Sequence, residues 1–397
     1  MKKIVIVNNN MKVGGVQKSL YNLLWSIADR YDITLFLFCE TGEYVDKLPK
    51  SVRIVPCSSL FRYLGVSQGE CHDRLADRLL RGTLAALCKI FGRPFVIRLM
   101  SPSQKTLPGE YDIAISYLHN GNLKSFYGGV NEFVLTKLNA KRKIAYLHCD
   151  YCNCGANNSP NNKLYFDFDL IAACSDGCRR SFLAAIPELK GKCVTAPNFH
   201  RYRIIQSLAQ ENPVVYEPGR FHLLTVGRLA HEKAVDRAVQ AVSYVIKQGI
   251  AVSLHVVGNG NMMDSLEKLA VSLNVQDFVH FYEEQPNPYR FMANADLLLV
   301  TSYHEAAPMV IEEARAIGLP VLTVETTSSK EMVTDNNSGW VCKNTQQALN
   351  ESLLDILTEV SILEETKARL TAIKPNNSIA EQQFRLVIGE CNEDQAT

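Results

Sequence analysis

Short β-branched runs alternate with longer amphipathic stretches from one end of this chain to the other, and no other feature restricts its fold as much. Strands are expected at KIVIVN (3–8), ITLFLF (33–38), VRIVP (52–56), DIAISY (112–117), KIAYLH (143–148), LIAACS (170–175) and CVTAPN (193–198). They continue at FHLLTVG (221–227), VSLHVVG (252–258), FVHFY (278–282), ADLLLVTS (295–302) and PVLTVE (320–325). Helical periodicity fills the gaps, as in VQKSLYNLLWSIADRY (16–31), DRAVQAVSYVIKQG (236–249) and MDSLEKLAVSLN (263–274). Continuous apolar strands separated by helices predict parallel sheets covered on both faces. The pattern restarts after the polar, proline-bearing stretch 200–219. The fold class is therefore α/β, with two doubly wound parallel-sheet domains at 1–200 and 215–375, then a helix and tail at 376–397. Such domains bind ligands at the carboxyl ends of their strands, here in a cleft between the two.

With 397 residues, 47% hydrophobic and 21% charged, the chain is long enough for two real cores and too apolar for disorder. No apolar run approaches the ~20 residues of a spanning helix. Lys2-Lys3 before IVIV imitates a secretory leader, but Asn8-Asn9-Asn10 ends the run, so a cytoplasmic protein is expected. The net charge of +1 conceals an asymmetry. Residues 1–200 carry 26 Lys and Arg against 16 Asp and Glu, whereas 201–397 carry 16 against 25. The first half is the one suited to an anionic partner. Of the 12 cysteines, Cys149, Cys152 and Cys154 lie beside His148, with Cys174 and Cys178 further on. That spacing fits no regular zinc motif, and these read as small buried or loop thiols, with no metal expected.

Chemistry should sit in the loops that follow strands. Gly14-Gly15 opens the first helix and would let a ligand approach its amino end, although no GxGxxG dinucleotide fingerprint is present. Gly227-Arg228-Leu229 followed by Glu232-Lys233 puts two cations five residues apart before a helix, where the dipole disfavours them. Such a pair suits a diphosphate. Ser302-Tyr303-His304-Glu305-Ala306-Ala307-Pro308 ends a strand and opens a helix bearing Glu312 and Glu313. Glu305 and one of the latter pair should flank a ligand at that helix end, the other being solvated.

VGRLAHEK, VVGNG and NPYRFMANADLLLVTSYHEAAPMVIEEARAIGLPVL together resemble the nucleotide-sugar half of a GT-B glycosyltransferase. They are most similar to glycosyltransferase family four, the retaining type of bacterial capsule, exopolysaccharide and lipopolysaccharide assembly. GGVQKSL, YDIAISY and KIAYLH extend the likeness into the first half. The resemblance implies two Rossmann-like domains facing across a cleft, the first binding acceptor and the second binding donor. It implies that Arg228 and Lys233 bind the donor diphosphate, that Glu313 holds the ribose, and that Glu305 with Ala306, Ala307, Pro308, Met309 and Val310 meets the sugar and phosphates. Gly227, Gly258 and Tyr282 would complete the donor site, with Gly14 and Gly15 facing the phosphates. His148 matches the family's histidine near the sugar, with His119 a competitor. Ser175 and Asn198 also match, in structural roles. The sequence departs from the family at Ala306 and Ala234, where glycine is usual, and at Phe281-Tyr282-Glu283, where F-x-G is usual.

The implied reaction moves a hexose-type sugar, by front-face displacement, from a nucleotide-sugar (UDP first) to a saccharide or lipid-linked acceptor, with no cofactor or metal. The basic positions Arg74, Arg78, Arg81, Lys89, Arg93, Arg98 and Lys105, interleaved with Leu, Ile and Phe, suit either an interfacial helix on anionic lipid or the solvated face of an ordinary core helix. The former would bring a cytoplasmic protein to the inner face of the plasma membrane. The rival readings are a non-hydrolysing nucleotide-sugar epimerase and a non-catalytic scaffold keeping the fold. Nucleic-acid binding finds no motif.

Overall fold

In the computed structural model, residues 1–70 and 75–390 are described; Arg74 and the last residues of the expected tail lie outside them. The chain divides into two compact units, Met1–Phe199 with Asn377–Thr397, and His200–Asn376. The first holds strands β1 (Lys3–Asn8), β2 (Asp32–Leu37), β3 (Arg53–Pro56), β4 (Tyr111–Ser116), β5 (Ala140–Leu147), β6 (Leu170–Ala173) and β7 (Cys193–Thr195). The second holds β8 (Phe221–Val226), β9 (Val252–Val257), β10 (Val279–Tyr282), β11 (Leu297–Val300), β12 (Val321–Val324) and β13 (Gly339–Cys342). Every pairing is parallel, with Ile4 beside Ile33 and Ile113 in one sheet and Leu223 beside Leu254 and Leu297 in the other.

The two sheets have the same plan. Their orders are β3-β2-β1-β4-β5-β6-β7 and β10-β9-β8-β11-β12-β13. Each reverses direction once, between β1 and β4 or between β8 and β11, and there the loops at the carboxyl ends part to leave a crevice. Strands stay apolar throughout because both faces are covered. Leu223 packs with Val239, Val242 and Leu254 on one side of β8, and Leu224 with Leu298, Ile311 and Ala314 on the other.

Three segments differ from expectation. The short run GWVC forms β13, an edge strand that its length hid. The stretch 200–219 is more than a connector: its helix Tyr202–Ala209 buries Ile205 and Ala209 in the second unit. The final helix, Ser378–Val387, belongs to the first unit, where Phe384 packs 6.1 Å from both Tyr31 and Phe199.

The basic stretch makes two helices, Leu75–Phe91 and Arg93–Met100, separated at Gly92 with φ 83. Arg93 is not part of a basic surface. It is wholly buried, with Glu132 3.7 Å away and bonds to the Asn122 carbonyl (3.1 Å) and Asn161 (2.6 Å). Leu79, Ile90, Phe91, Phe95 and Leu99 are exposed instead. No helix among the described residues is long and apolar enough to cross a membrane.

Candidate active site

At the crevice of the second unit, two loops meet backbone to backbone. Gly227 follows β8 with φ 150 and Gly258 follows β9 with φ 145. A Cβ on Gly258 would lie 1.9 Å from the Gly227 carbonyl oxygen, so a side chain there would force the loops apart. Gly227 N donates to Val257 (3.0 Å) and Leu229 N to Asn259 (2.9 Å). A single 3-10 turn, His231–Lys233, then leads through Ala234 into the helix Val235–Lys247. Ala234 takes φ 48, ψ 45, the left-handed conformation in which the usual glycine carries no penalty. The Thr301 hydroxyl, just beyond β11, donates to the Ala234 carbonyl at 2.8 Å and joins the two loops.

The loop after β11 is held by groups to which the sequence reading gave no role. Arg237, 5% exposed, donates to the Thr301 carbonyl (3.2 Å) and to Asn344 Oδ1 (2.6 Å). Asn344 in turn donates to the carbonyls of Tyr303 (3.1 Å) and Glu325 (2.9 Å). Ser302 Oγ donates to Glu305 Oε1 at 2.7 Å, and Lys233 Nζ reaches the same oxygen at 2.5 Å. The signal was there in the three-residue spacing of Ser302 and Glu305, which one loop turn can close.

Gly227, Arg228, Lys233, Ser302, Glu305 and Val310 line a pocket with about 360 Å³ of empty volume. A more open hollow, with about 750 Å³ of empty volume, lies at the amino ends of β1, β4 and β5 and involves Lys2, Asp112, Lys141 and Arg142. Its Lys141 is held by Asp112 and its Lys2 by Glu390, and it lies at the end of the sheet opposite the crevice.

Neither predicted cation is bare. Arg228 Nη2 sits 2.5 Å from Glu232, and Lys233 is held by Glu305. Any anion must therefore compete with a carboxylate for each. Pro308 caps the helix Met309–Ile317 in extended conformation rather than forming its first residue, and no side chain caps that end. Ala306 accepts a bond from Ser328, Met309 is buried, and Ala307 and Val310 pack onto the core beneath. Glu313 is 3% exposed. Glu312 is not a solvated charge: it pairs with Arg315 at 2.5 Å and accepts from the Tyr202 hydroxyl at 3.3 Å. Tyr282 lies apart from the pocket wall, against Phe291 and 3.3 Å from His255 Nδ1, and burial raises its phenol pKa.

Gly14, Gly15 and His148 lie in the first unit. Gly14 precedes the helix Gly15–Ile27 with extended φ 172, and a Cβ there would lie 2.7 Å from Gln17 Oε1, so that side chain would have to shift, whereas a Cβ on Gly15 would meet no atom within 4 Å. His148 stacks on Tyr117 and Tyr146, and burial, helped by nearby His119, depresses its pKa to about 3. It is a neutral imidazole. Ser175 caps the helix Asp176–Ala185, and Asn198 accepts from Ser19 at 2.6 Å.

Residues 210–373 match the family described as "Glycosyl transferases group 1". Over 139 residues the chain is 36% identical to the lipopolysaccharide glucosyltransferase WaaG of Escherichia coli, covering 34% of this chain and 37% of that protein. It is 28% identical over 141 residues to the amylovoran biosynthesis glycosyltransferase AmsK of Erwinia amylovora, covering 33% and 35%. The match thus spans little more than a third of the length of these relatives. HepE of Anabaena in complex with UDP superposes with TM-score 0.65 at 16% identity, over 98% of this chain and all of that one. The crystal structure of WaaG superposes with TM-score 0.59 at 18% identity, over 97% and 100%. The two parallel-sheet units form a two-domain Rossmann-like GT-B fold. Residues 210–373, most of the second unit, are thus similar to a glycosyl transferases group 1 domain, and the chain resembles the GT-B glycosyltransferases of family four.

Proposed function

We propose that the protein is a retaining glycosyltransferase. It moves a hexose-type sugar from a nucleotide-sugar, a UDP-sugar first, to a saccharide or lipid-linked acceptor in cell-surface polysaccharide synthesis. The observation that carries this reading is Lys233 and Ser302 converging on Glu305 between the β8 and β11 loops, within the stretch similar to a group 1 domain. UDP is favoured because the fold neighbour HepE binds it. The lipopolysaccharide and amylovoran relatives support the polysaccharide setting.

In the reaction, the bond from the sugar's anomeric carbon to the diphosphate oxygen breaks, and that oxygen keeps the electron pair. The acceptor hydroxyl oxygen bonds to the same face of the carbon and gives its proton to the departing phosphate. Charge grows on the diphosphate, where Lys233, Arg228 and the uncapped end of Met309–Ile317 can stabilise it without reorganisation and without calling on a metal. Lys233 would leave Glu305 for the phosphate, freeing the carboxylate to meet the sugar. Glu313 would hold the ribose. Gly14 and Gly15, the latter with open space where a Cβ would stand, would admit the phosphates to the backbone. His148, neutral in this fold, would donate or accept a hydrogen bond rather than act as a base at pH 7. Leu79, Ile90, Phe91, Phe95 and Leu99, exposed beside Arg78, Lys89 and Arg98, would rest on anionic lipid.

A thermal-shift screen with UDP, GDP, ADP and CMP, with and without magnesium, tests the site. One nucleotide at ~100 times its Kd should add roughly 2.7 kcal/mol to stability, without metal, and Lys233→Ala should abolish the shift. No shift from any nucleotide would remove the donor assignment. Donor consumption without an acceptor would favour an epimerase. Sedimentation with phosphatidylglycerol vesicles, but not with phosphatidylcholine, is expected for the membrane contact.

A further inference from the structure

The first unit brings together a second set of reactive side chains, two of them, Cys149 and Cys154, on the loop that also carries His148. His119 lies three residues beyond β4 and Cys149 two beyond β5, neighbouring strands whose pairing sets Ser116 beside Ala145. Cys154 is carried back toward Cys149 by a turn. Backbone N–H groups of Asn153 and Cys154 donate to the Asp150 carbonyl at 3.1 and 3.0 Å. The Asp150 carboxylate is pinned by Ser181 Oγ (2.8 Å) and Asn153 Nδ2 (2.7 Å). The turn is thus ordered before any ligand arrives.

The result is one imidazole nitrogen and two thiol sulfurs all within 4.8 Å of one another. Cys149 is buried, and His119 and Cys154 are partly so. Buried His119 Nδ1 has no hydrogen-bond partner among the described residues, which is costly for a polar atom out of water. Cys152, in the middle of the same sequence cluster, turns outward and donates its thiol proton to the Ser181 carbonyl at 3.2 Å. The geometry therefore selects His119, Cys149 and Cys154 from a group whose spacing in sequence suggested no site.

We propose that His119, Cys149 and Cys154 bind a thiophilic divalent cation of the zinc class through one imidazole nitrogen and two thiolate sulfurs. A tetrahedral zinc with bonds of about 2.3 Å to sulfur and about 2.0 Å to nitrogen holds such atoms roughly 3.5–3.8 Å apart. Closing from the present spacing takes about 1 Å, within the reach of side-chain rotation on a fixed turn. As each metal–sulfur bond forms, its thiol gives a proton to solvent, so binding releases two protons and changes no oxidation state. Three protein ligands leave a fourth position for water or an outside group. The proposal does not depend on the glycosyl-transfer reading.

The test is a titration of the reduced, metal-stripped full-length protein with cobalt(II), read by absorbance, followed by displacement with zinc. One equivalent of cobalt should produce a thiolate-to-metal charge-transfer band with the visible bands of a four-coordinate centre, and zinc should abolish both. Cys154→Ser and His119→Gln should each weaken binding by roughly 10- to 100-fold or more, while Cys152→Ser binds like the parent chain. Absence of the charge-transfer band in the parent protein would overturn the site, whatever the variants do. So would full affinity in a folded Cys154→Ser. Formation of a Cys149–Cys154 disulfide by a protein that binds no cobalt when reduced would overturn it too, and mark the pair as redox-active.

Discussion

The two units share one strand order yet line their strand ends with opposite chemistry. In the second, the loops after β8 and β11 carry formal charges, Arg228, Lys233, Glu232 and Glu305, paired and partly open to solvent. In the first, the loops after β4 and β5 hold His119, His148 and Cys149 as desolvated groups beside the pinned Asp150 carboxylate. Burial holds His119 at a pKa of about 4 and His148 at about 3, and raises the Cys149 thiol. Arg93, which donates to the Asn122 carbonyl beyond β4, is sealed inside with Glu132. The lesson is that a doubly wound sheet fixes where a site lies, while desolvation of the loops decides whether it handles hard anions or soft ligands.

The contrast can be broken most severely at Arg93. Arg93→Met should destabilise the first unit by about 3–5 kcal/mol, because Glu132 is left as a buried charge. Urea unfolding of the variant and of Arg93→Met/Glu132→Gln separates this from lost packing: the double variant should recover part of the loss. At Lys233 the effect moves from stability to turnover. Lys233→Ala should lower sugar transfer about 10²–10³-fold while the chain still folds, Ser302 continuing to hold Glu305, in steady-state assays with the donor found by the screen. Activity near that of the parent protein would remove Lys233 from the phosphate clamp.

Acid should sharpen the comparison next, since one feature is shared. In the second unit, His255 is depressed to about 3 by burial first and then by His280 and His222, with Tyr282 also against it. An unfolded histidine binds its proton near pH 6.5, whereas the folded one does not until about pH 3. Stability is therefore intact above pH 6.5 and falls as the pH drops below it, by at most about 1.4 kcal/mol per pH unit for each such histidine. Urea midpoints between pH 7.5 and 5 should decline, and less steeply in His255→Gln. The smallest effect is at Ala234. Removing the left-handed strain gains about 1–2 kcal/mol, and losing a buried methyl costs about 0.8. Ala234→Gly should then raise the melting temperature slightly, and a fall would show that the methyl contact dominates.

Much of this was legible in the sequence, because β-branched runs such as KIVIVN and FHLLTVG, and loops such as GRLAHEK, are local signals. The pairing of Lys233 with Glu305 was not, since they are 72 positions apart and meet only when β8 pairs with β11. The three-ligand group was hidden for the same reason: His119 and Cys149 become neighbours through the β4–β5 ladder. The burial of Arg93 was misread because its amphipathic surroundings look alike whether the face meets lipid or core. The dock of the last helix was invisible, because polar SIAEQQFRLV shows its apolar stripe only against Tyr31 and Phe199.

That last helix also sets an order in time. Ribosomes deliver residues 200–376 while the first unit still lacks the segment bearing Phe384, Val387 and Ile388, which fill its core. The second unit can complete itself during synthesis. The first must wait, its groove around Tyr31 and Phe199 open, until residues 384–388 have emerged.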